Sequence, residues 1–371
     1  MLRNIRVMTV WTALLIIALP GALRPGWAAP GSRAEPLKCS RVAFQEPPLW
    51  ISSATWLDNS SQLLIVDPFR NQLMSYDLQG SSRRVPAPHP SSTKDFLPAR
   101  ITKTEGEGFL LEMADGNLVS LDGQLRLVRE NPLTQKSLTG KHVGSLYQWT
   151  TAGDKIVGFG TLTKTGQDFE LGFLRTSLQP GGMPEMLMAF DHGDFYLIGY
   201  SYLATLGDDV YFVLMDKHPA IYRVSPDSQE LVRLNSFHRG YRVLPDFRSP
   251  PARGPKSALA RFAELETFSM PAGLYTQNGM LYLLTRRPEG PAKTAWWLYK
   301  IDPRRDAIVG RTKLPTAANH LLVVPTEESW LVIERGRVEE NQRQQIRSMV
   351  VIPSAAISSL SVPATCSSLG K

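Results

Sequence analysis

The sequence lacks the features that would assign it to several large protein classes. Its 371 residues include only two cysteines, and no apolar run in the middle of the chain reaches the ~20 residues that span a bilayer. It has no Gly-X-Y period and no sustained heptads, which excludes collagen and coiled coils. Hydrophobic residues make up 43% of the chain, too many for a disordered protein, so we expect a globular core.

The motifs of common catalytic and nucleotide-binding sites are also missing. There is no G-x-S-x-G nucleophile elbow and no P-loop, which argues against a serine hydrolase of that type and against nucleotide binding. No run of five basic residues occurs. The net charge of +7 would fall to +4 without the first 28 residues, because three arginines leave with them. We therefore expect no nucleic-acid partner.

The N-terminus is typical of an export signal. Two arginines precede an uncharged stretch at residues 7–23, which a Pro-Gly pair interrupts. Small residues at Gly26 and Ala28 predict a signal peptide of residues 1–28 and a secreted or periplasmic mature chain of residues 29–371. The alternative is an uncleaved membrane anchor, since 17 uncharged residues are at the short limit for crossing a bilayer.

The two cysteines, Cys39 and Cys366, lie near opposite ends of the predicted mature chain. Disulfides persist in the compartments to which an export signal leads, so we expect these two residues to pair. Such a bond would require the chain ends to meet in space, as they do in closed circular folds. The alternative is two unrelated thiols.

Apolar runs recur along the chain at nearly equal spacing, and each follows a polar turn. Their spacings are 46, 47, 54, 71 and 49 residues, and four of the five are near the ~40 to 50 residues typical of propeller blades. Strands with period-two alternation, such as residues 72–77, follow several runs and indicate half-buried antiparallel sheets with one polar side. We predict an all-β, six-bladed β-propeller in a single domain, with a pair of β-sandwiches as the alternative. The runs begin at Leu63, Phe109, Ile156, Val210, Leu281 and Trp330.

The same pattern predicts how the ring closes. The sixth unit shows three strands, near residues 319–324, 330–334 and 346–352, and residues 39–44 are expected to supply its fourth. This pairing would remove the exposed strand edges that an open sheet presents. The inner strands of the six blades are expected near residues 51–57, 98–103, 145–150, 199–205, 271–276 and 319–324.

One interval, of 71 residues, is longer than the others, and its surplus lies in an insertion at residues 235–267. The insertion contains His238, Arg239 and Arg242 and ends in a short amphipathic stretch. One interpretation is a lid over a channel mouth, whose arginines and aromatic rings would hold an anionic or sugar-like ligand. The alternative is a solvated insertion that packs on the rim.

Polar residues near the starts of the predicted inner strands, with the insertion beside them, would surround one mouth of the channel. Concave sites with convergent polar groups commonly bind small ligands, and arginines favour anions. A histidine flanked by two aspartates in this set could hold a metal or act in acid–base chemistry, but its composition is also ordinary for a loop. The candidate ligand-binding residues are Arg100, His142, Asp191, His192, Asp194, Tyr200, His238, Arg239, Arg242 and His320.

Residues 271–282, PAGLYTQNGMLY, resemble the inner-hairpin repeat P-D-G-L-x-x-D-x-x-G-x-L-Y of NHL-type and gluconolactonase/paraoxonase-like six-bladed propellers. For the lactonase branch, the resemblance implies a calcium ion on the ring axis, held by one Glu, two Asn and one Asp. In this sequence the position of the metal Glu falls on Ser52, and Ala272 replaces the Asp of P-D-G. Carboxylates are the main ligands of calcium, so these departures argue against that metal site.

These observations predict an exported, non-catalytic binding or interaction module with its ligand at the channel mouth and no cofactor. The expected partner is a small anionic or sugar-like ligand, or else a protein of the cell envelope or extracellular space. Contact with a membrane is expected only through an uncleaved signal. The alternative function is a metal-dependent, lactonase-like hydrolase with a non-standard site.

Overall fold

The computed structural model describes residues 37–86, 88, 96–104, 108–114, 116–132, 142–163, 169–178, 183–190, 202–214, 220–225, 227–228, 230–234, 269–290, 293–338 and 344–360. In these ranges the chain forms 24 β-strands and one helix of five residues. The strands make six four-stranded antiparallel sheets. The predicted all-β, six-bladed propeller is therefore confirmed.

The first three blades each consist of four consecutive strands that pair in chain order, from an inner to an outer strand. They follow a short N-terminal strand, β1 (Ser40–Ala43). Their strands are β2 (Ser53–Leu57), β3 (Gln62–Asp67), β4 (Gln72–Tyr76) and β5 (Ser82–Val85); β6 (Pro98–Lys103), β7 (Phe109–Met113), β8 (Asn117–Leu121) and β9 (Leu127–Pro132); and β10 (His142–Ala152), β11 (Lys155–Thr163), β12 (Phe169–Ser177) and β13 (Glu185–Phe190).

The fourth and fifth blades repeat this arrangement, and the sixth uses three strands from the C-terminal part of the chain. Helix α1 (Ser354–Ser358) follows the last strand. The strands are β14 (Tyr202–Leu206), β15 (Asp209–Leu214), β16 (Ala220–Val224) and β17 (Leu231–Leu234); β18 (Met270–Gln277), β19 (Met280–Gly290), β20 (Lys293–Asp302) and β21 (Ala307–Lys313); and β22 (His320–Pro325), β23 (Ser329–Val338) and β24 (Gln344–Pro353).

Tight turns join the strands where the sequence supplies residues that accept a positive φ. In blade 5, β18 and β19 are connected through Asn278 and Gly279, whose φ angles are 51° and 71°. Positive φ at both central residues defines a type I′ turn, whose twist matches that of the flanking strands and for which Asn-Gly is a strongly preferred pair. The predicted hairpin turn at this position is confirmed.

The core lies between the blades, because each sheet packs both of its faces against its neighbours. Between blades 3 and 4, for example, Phe173 stacks on Phe212 with ring centroids 4.1 Å apart. The alternation in residues 72–77 indicated a strand with one solvent-facing side, and this expectation is wrong. All of β4 is buried, including Gln72 and Ser75, since neighbouring blades cover both faces.

Strand β1 completes blade 6 by pairing antiparallel with β24, with Val42 opposite Met349. The predicted fourth strand of the sixth blade is therefore confirmed. The segment after β1 passes close to blade 1, where the Gln45 amide donates to the Gly80 carbonyl at 3.0 Å. Gly80 has a φ of 84°, and a Cβ there would lie 2.0 Å from the Ala43 carbonyl oxygen, so this crossing requires glycine.

Several expectations lie wholly or partly outside the described residues. Cys39 is exposed just before β1, but Cys366 is not among the described residues, so the disulfide stays a prediction. The predicted signal peptide at residues 1–28 and the insertion at residues 235–267 also fall outside them. Within the described part of the chain, no helix is long and apolar enough to cross a membrane.

We predict that Val42→Asp destabilises the protein by about 1–3 kcal/mol, because it places an unpaired charge against the apolar cluster between blades 6 and 1. Ala43→Asp is the matched control, since Ala43 is exposed on the same strand, and it should change stability by no more than about 0.5 kcal/mol. Urea unfolding measures both values. Equal effects of the two substitutions would contradict the role assigned to β1 in closing the ring.

Candidate functional site

The six inner strands, β2, β6, β10, β14, β18 and β22, run side by side around the central channel. Side chains join corresponding positions of neighbouring strands. Ser53 Oγ donates to the Ile101 carbonyl at 3.0 Å, and Thr276 Oγ1 donates to the Thr205 carbonyl at 2.9 Å. The strands therefore begin at one end of the channel, which we call the upper mouth, and finish at the other end, the lower mouth.

Polar side chains at the lower mouth satisfy one another. Thr205 Oγ1 donates to the Thr151 carbonyl at 3.0 Å, which joins blades 3 and 4. The Gln277 amide donates to the Thr326 carbonyl and accepts from Trp330 Nε1 at 2.7 Å, which joins blades 5 and 6. These donors and acceptors are already engaged with each other, so the lower mouth offers little to a ligand.

The structure places three of the predicted site residues at the upper mouth. Arg100 lies near the start of β6, while His142 and His320 are the first residues of β10 and β22. The His320 side chain is exposed, and the His142 side chain is outside the described part of the structure. The other candidates also lie outside the described residues: Asp191, His192, Asp194, Tyr200, His238, Arg239 and Arg242.

Arg100 connects blades 2 and 3. Its Nη2 donates to the Tyr147 carbonyl, its Nε lies 3.7 Å from the Glu112 carboxylate, and its guanidinium carbon is 5.8 Å from the Trp149 ring centroid. Glu112 in turn accepts from Trp149 Nε1 at 2.8 Å. Burial lowers the pKa of Arg100, and its buried Nη1 has no hydrogen-bond partner among the described residues.

Arg335 connects blades 6 and 1, and it is not among the residues that the sequence predicted for the site. Its Nη1 donates to the Ile51 carbonyl at 3.3 Å and its Nη2 to the Leu321 carbonyl at 3.2 Å. Within the described structure its buried Nε has no partner. Burial lowers the pKa of Arg335 because the charged form is poorly solvated there. Arg335 pairs directly across the strands with His320, so both belong to the upper mouth.

Tyr275 brings a hydroxyl group towards Arg335 from blade 5. A Cβ on Gly273 would lie 2.2 Å from this hydroxyl, so the Tyr275 side chain folds back over Gly273 towards the upper mouth. The ring packs edge-on against Trp330, with centroids 5.7 Å apart, and burial raises the pKa of the hydroxyl. Tyr275 and Tyr202, the first residue of β14, both lie within electrostatic range of the Arg335 guanidinium.

Irregular strand pairing accompanies these side chains at the upper mouth. Inner strands β6, β10 and β18 each shift register near their start, and β23 shifts beside Arg335. A β-bulge re-aims the side chains around it and is over-represented next to active sites. The register shifts fall between Pro98 and Arg100, Val143 and Ser145, Pro271 and Gly273, and Ile333 and Arg335.

The positions that the lactonase resemblance assigned to metal ligands serve other contacts. Ser52 Oγ donates to the Val66 carbonyl at 3.4 Å, and Ala272 packs against the apolar cluster between blades 5 and 6. The buried Asp67 carboxylate accepts the Leu49 amide at 2.8 Å and closes a turn. The described residues contain no group of three or more His, Cys, Asp or Glu side chains that could hold a metal ion.

No protein-family model matches the sequence, and no curated protein does. A solved structure of a DUF4221 family member from Bacteroides vulgatus aligns with 86% of this chain and 98% of its own, at 10% identity and a TM-score of 0.56. The structure of the calcium-binding protein regucalcin from Agrobacterium tumefaciens aligns with 86% of this chain and 95% of its own, at 13% identity and a TM-score of 0.47. The structure of a gluconolactonase from Xanthomonas campestris aligns with 86% of this chain and 91% of its own, at 12% identity and a TM-score of 0.47. At 10% identity, the likeness to the DUF4221 protein shows the fold alone, and that fold is the six-bladed β-propeller.

Proposed function

We propose that this chain is an exported, non-catalytic β-propeller that binds a ligand at the upper mouth of its channel. The observation that carries the proposal is the contrast between the two mouths. At the lower mouth, Thr205, Gln277 and Trp330 donate to protein acceptors, whereas Arg100 Nη1 and Arg335 Nε at the upper mouth have no partner among the described residues. A buried polar group without a partner costs free energy, and a bound ligand would supply the missing acceptor.

The upper mouth is also the place where a ligand would be held most firmly. Its side chains come from rigid strands of neighbouring blades, and Arg100 and Arg335 are each fixed by a backbone carbonyl of the next blade. Groups that are already positioned lose little conformational freedom when a ligand binds. The insertion at residues 235–267 would act as a lid over this mouth in the same proposal.

Export and the disulfide belong to the proposal as well. Leu37 and Leu360 pack against the same apolar cluster between blades 5 and 6, which brings the two ends of the described chain together. Cys39 is two residues from Leu37, and Cys366 is six residues from Leu360. Six residues can span up to ~20 Å, so the two cysteines are within reach of each other.

A bound ligand should protect the upper mouth from hydrogen exchange. For any compound that a thermal-shift screen identifies, we expect slower exchange of amides near residues 51–54, 98–101, 202–204, 270–273 and 320–322. Amides at the lower turns, near residues 58–61 and 277–279, serve as the internal control and should exchange unchanged. Mass spectrometry of peptides measures both. Protection confined to the outer strands would refute the proposed site and favour a scaffold that binds another protein.

Removal of metal ions should leave the protein unchanged if it is not a lactonase-like metalloenzyme. We expect EDTA to have no effect on the unfolding midpoint, because the described residues offer no metal-binding cluster. Elemental analysis of the purified protein should find no stoichiometric metal. One equivalent of calcium per chain, whose removal lowers the midpoint and whose return restores it, would contradict the proposal.

If the predicted disulfide forms, protein recovered from an oxidising compartment should contain no free thiol. Peptide mapping should find Cys39 linked to Cys366. In the chain-entropy model, closing a loop of 326 residues stabilises the fold by about 5 kcal/mol as an upper bound. Reduction should therefore lower the unfolding midpoint, and Cys39→Ser and Cys366→Ser should each abolish that response. Two alkylatable thiols in the native protein would show that the cysteines are unrelated.

A further inference from the structure

We propose that the ligand at the upper mouth is a carboxylate, and that Arg335 with Tyr275 forms its receptor. This inference rests on the proposed function, which places a ligand at that mouth, and it names the ligand's chemical class. Arg335 has no carboxylate partner in the described structure, and its contacts leave donors unused.

Arg335 is a partly buried cation with a buried Nε, and it has no carboxylate partner in the described structure. Both of its hydrogen bonds in the described structure go to carbonyl oxygens, those of Ile51 and Leu321. The neighbouring Glu334 is engaged elsewhere, since Arg41 Nη2 donates to it at 3.0 Å and Ser348 Oγ at 3.4 Å. Burying an unpaired charge is expensive unless a counter-ion accompanies it. A bound anion would provide that counter-ion.

The other arginines near the mouth differ from Arg335. Arg100 is accompanied by Glu112 at 3.7 Å, so these two charges offset each other. Arg286 lies opposite Met270, the first residue of β18, and has an interaction of its own. Arg335 is therefore the arginine whose charge a bound carboxylate would balance in this proposal.

The available donors suit a carboxylate as well. A guanidinium has five N–H groups, and Arg335 uses two of them on carbonyls, which leaves three for a ligand. Tyr275 can donate its O–H, because burial raises the pKa of this hydroxyl and keeps it protonated. A carboxylate has two oxygens that accept several hydrogen bonds and fit the planar guanidinium. Arg335 and Tyr275 can thus contact the same carboxylate.

The test measures binding of sodium acetate and sodium lactate to the mature protein by calorimetry, at constant ionic strength. We expect saturable binding to the native protein and weaker binding of phosphate. Arg335→Gln should weaken carboxylate binding by at least tenfold, since it removes a charge-assisted hydrogen bond. Tyr275→Phe keeps the ring against Trp330 but loses the hydroxyl, and should weaken binding about fivefold.

Arg305→Gln is the matched control, because it removes the same charge from an exposed arginine that pairs with Asp302 at 3.5 Å. It should leave the affinity unchanged. Arg335 also joins two blades, so Arg335→Gln could disturb the fold. Arg335→Lys keeps the charge but not the planar fork, and with Tyr275→Phe it tests the site in a folded protein.

Three results would overturn the inference: no saturable binding of either carboxylate, phosphate binding tighter than carboxylate, or equal affinities in the native protein, Arg335→Lys and Tyr275→Phe. The proposed function would survive these results if another compound still protected the upper mouth from hydrogen exchange. It would fail separately if protection appeared only on the outer strands. The two failures are therefore distinguishable.

Discussion

The architecture depends on one constraint, which is that no blade can bury both of its faces alone. Every residue of β4 is buried, and the apolar clusters lie between blades rather than within them. Each blade therefore needs a neighbour on either side, and only a closed ring gives one to all six. The pairing of β1 with β24 provides that closure. It also explains why Leu37 and Leu360, near opposite ends of the chain, contact the same cluster.

Packing of this kind also requires polar contacts where the inner strands meet around the channel. Small hydroxyl groups, such as those of Ser53 and Thr276, make some of these contacts without placing a charged group beside the channel. Arg100 and Arg335 make two others, at the upper mouth, where burial lowers the pKa of both. Hydroxyls elsewhere in the ring achieve the same connection between blades. The need to connect neighbouring blades therefore does not by itself explain why these two positions carry a charged group.

Sequence periodicity predicted the strands and the ring well because it reports local geometry. Alternation, turns and spacing of the six apolar runs are set within each blade, and all six expected inner strands overlap the observed ones. Arg335 was missed because it directly follows the apolar run at residues 330–334, where a polar residue is typical of the end of a core strand. Its role depends on the register shift after Ile333 and on the Ile51 carbonyl of another blade, which no local pattern contains.

The charged groups around the channel differ from those of the calcium site that the lactonase resemblance implies. That site would have a Glu at the position of Ser52 and an Asp at the position of Ala272, both of which are neutral here. Arg100 and Arg335 are partly buried at the upper mouth instead. In a medium of low dielectric, like charges repel strongly over several ångströms. A divalent cation would therefore be repelled by Arg335, which lacks a counter-ion in the described structure, while the same group attracts an anion. Among the described residues, the two substitutions and the charge of Arg335 therefore all disfavour a calcium ion at this mouth.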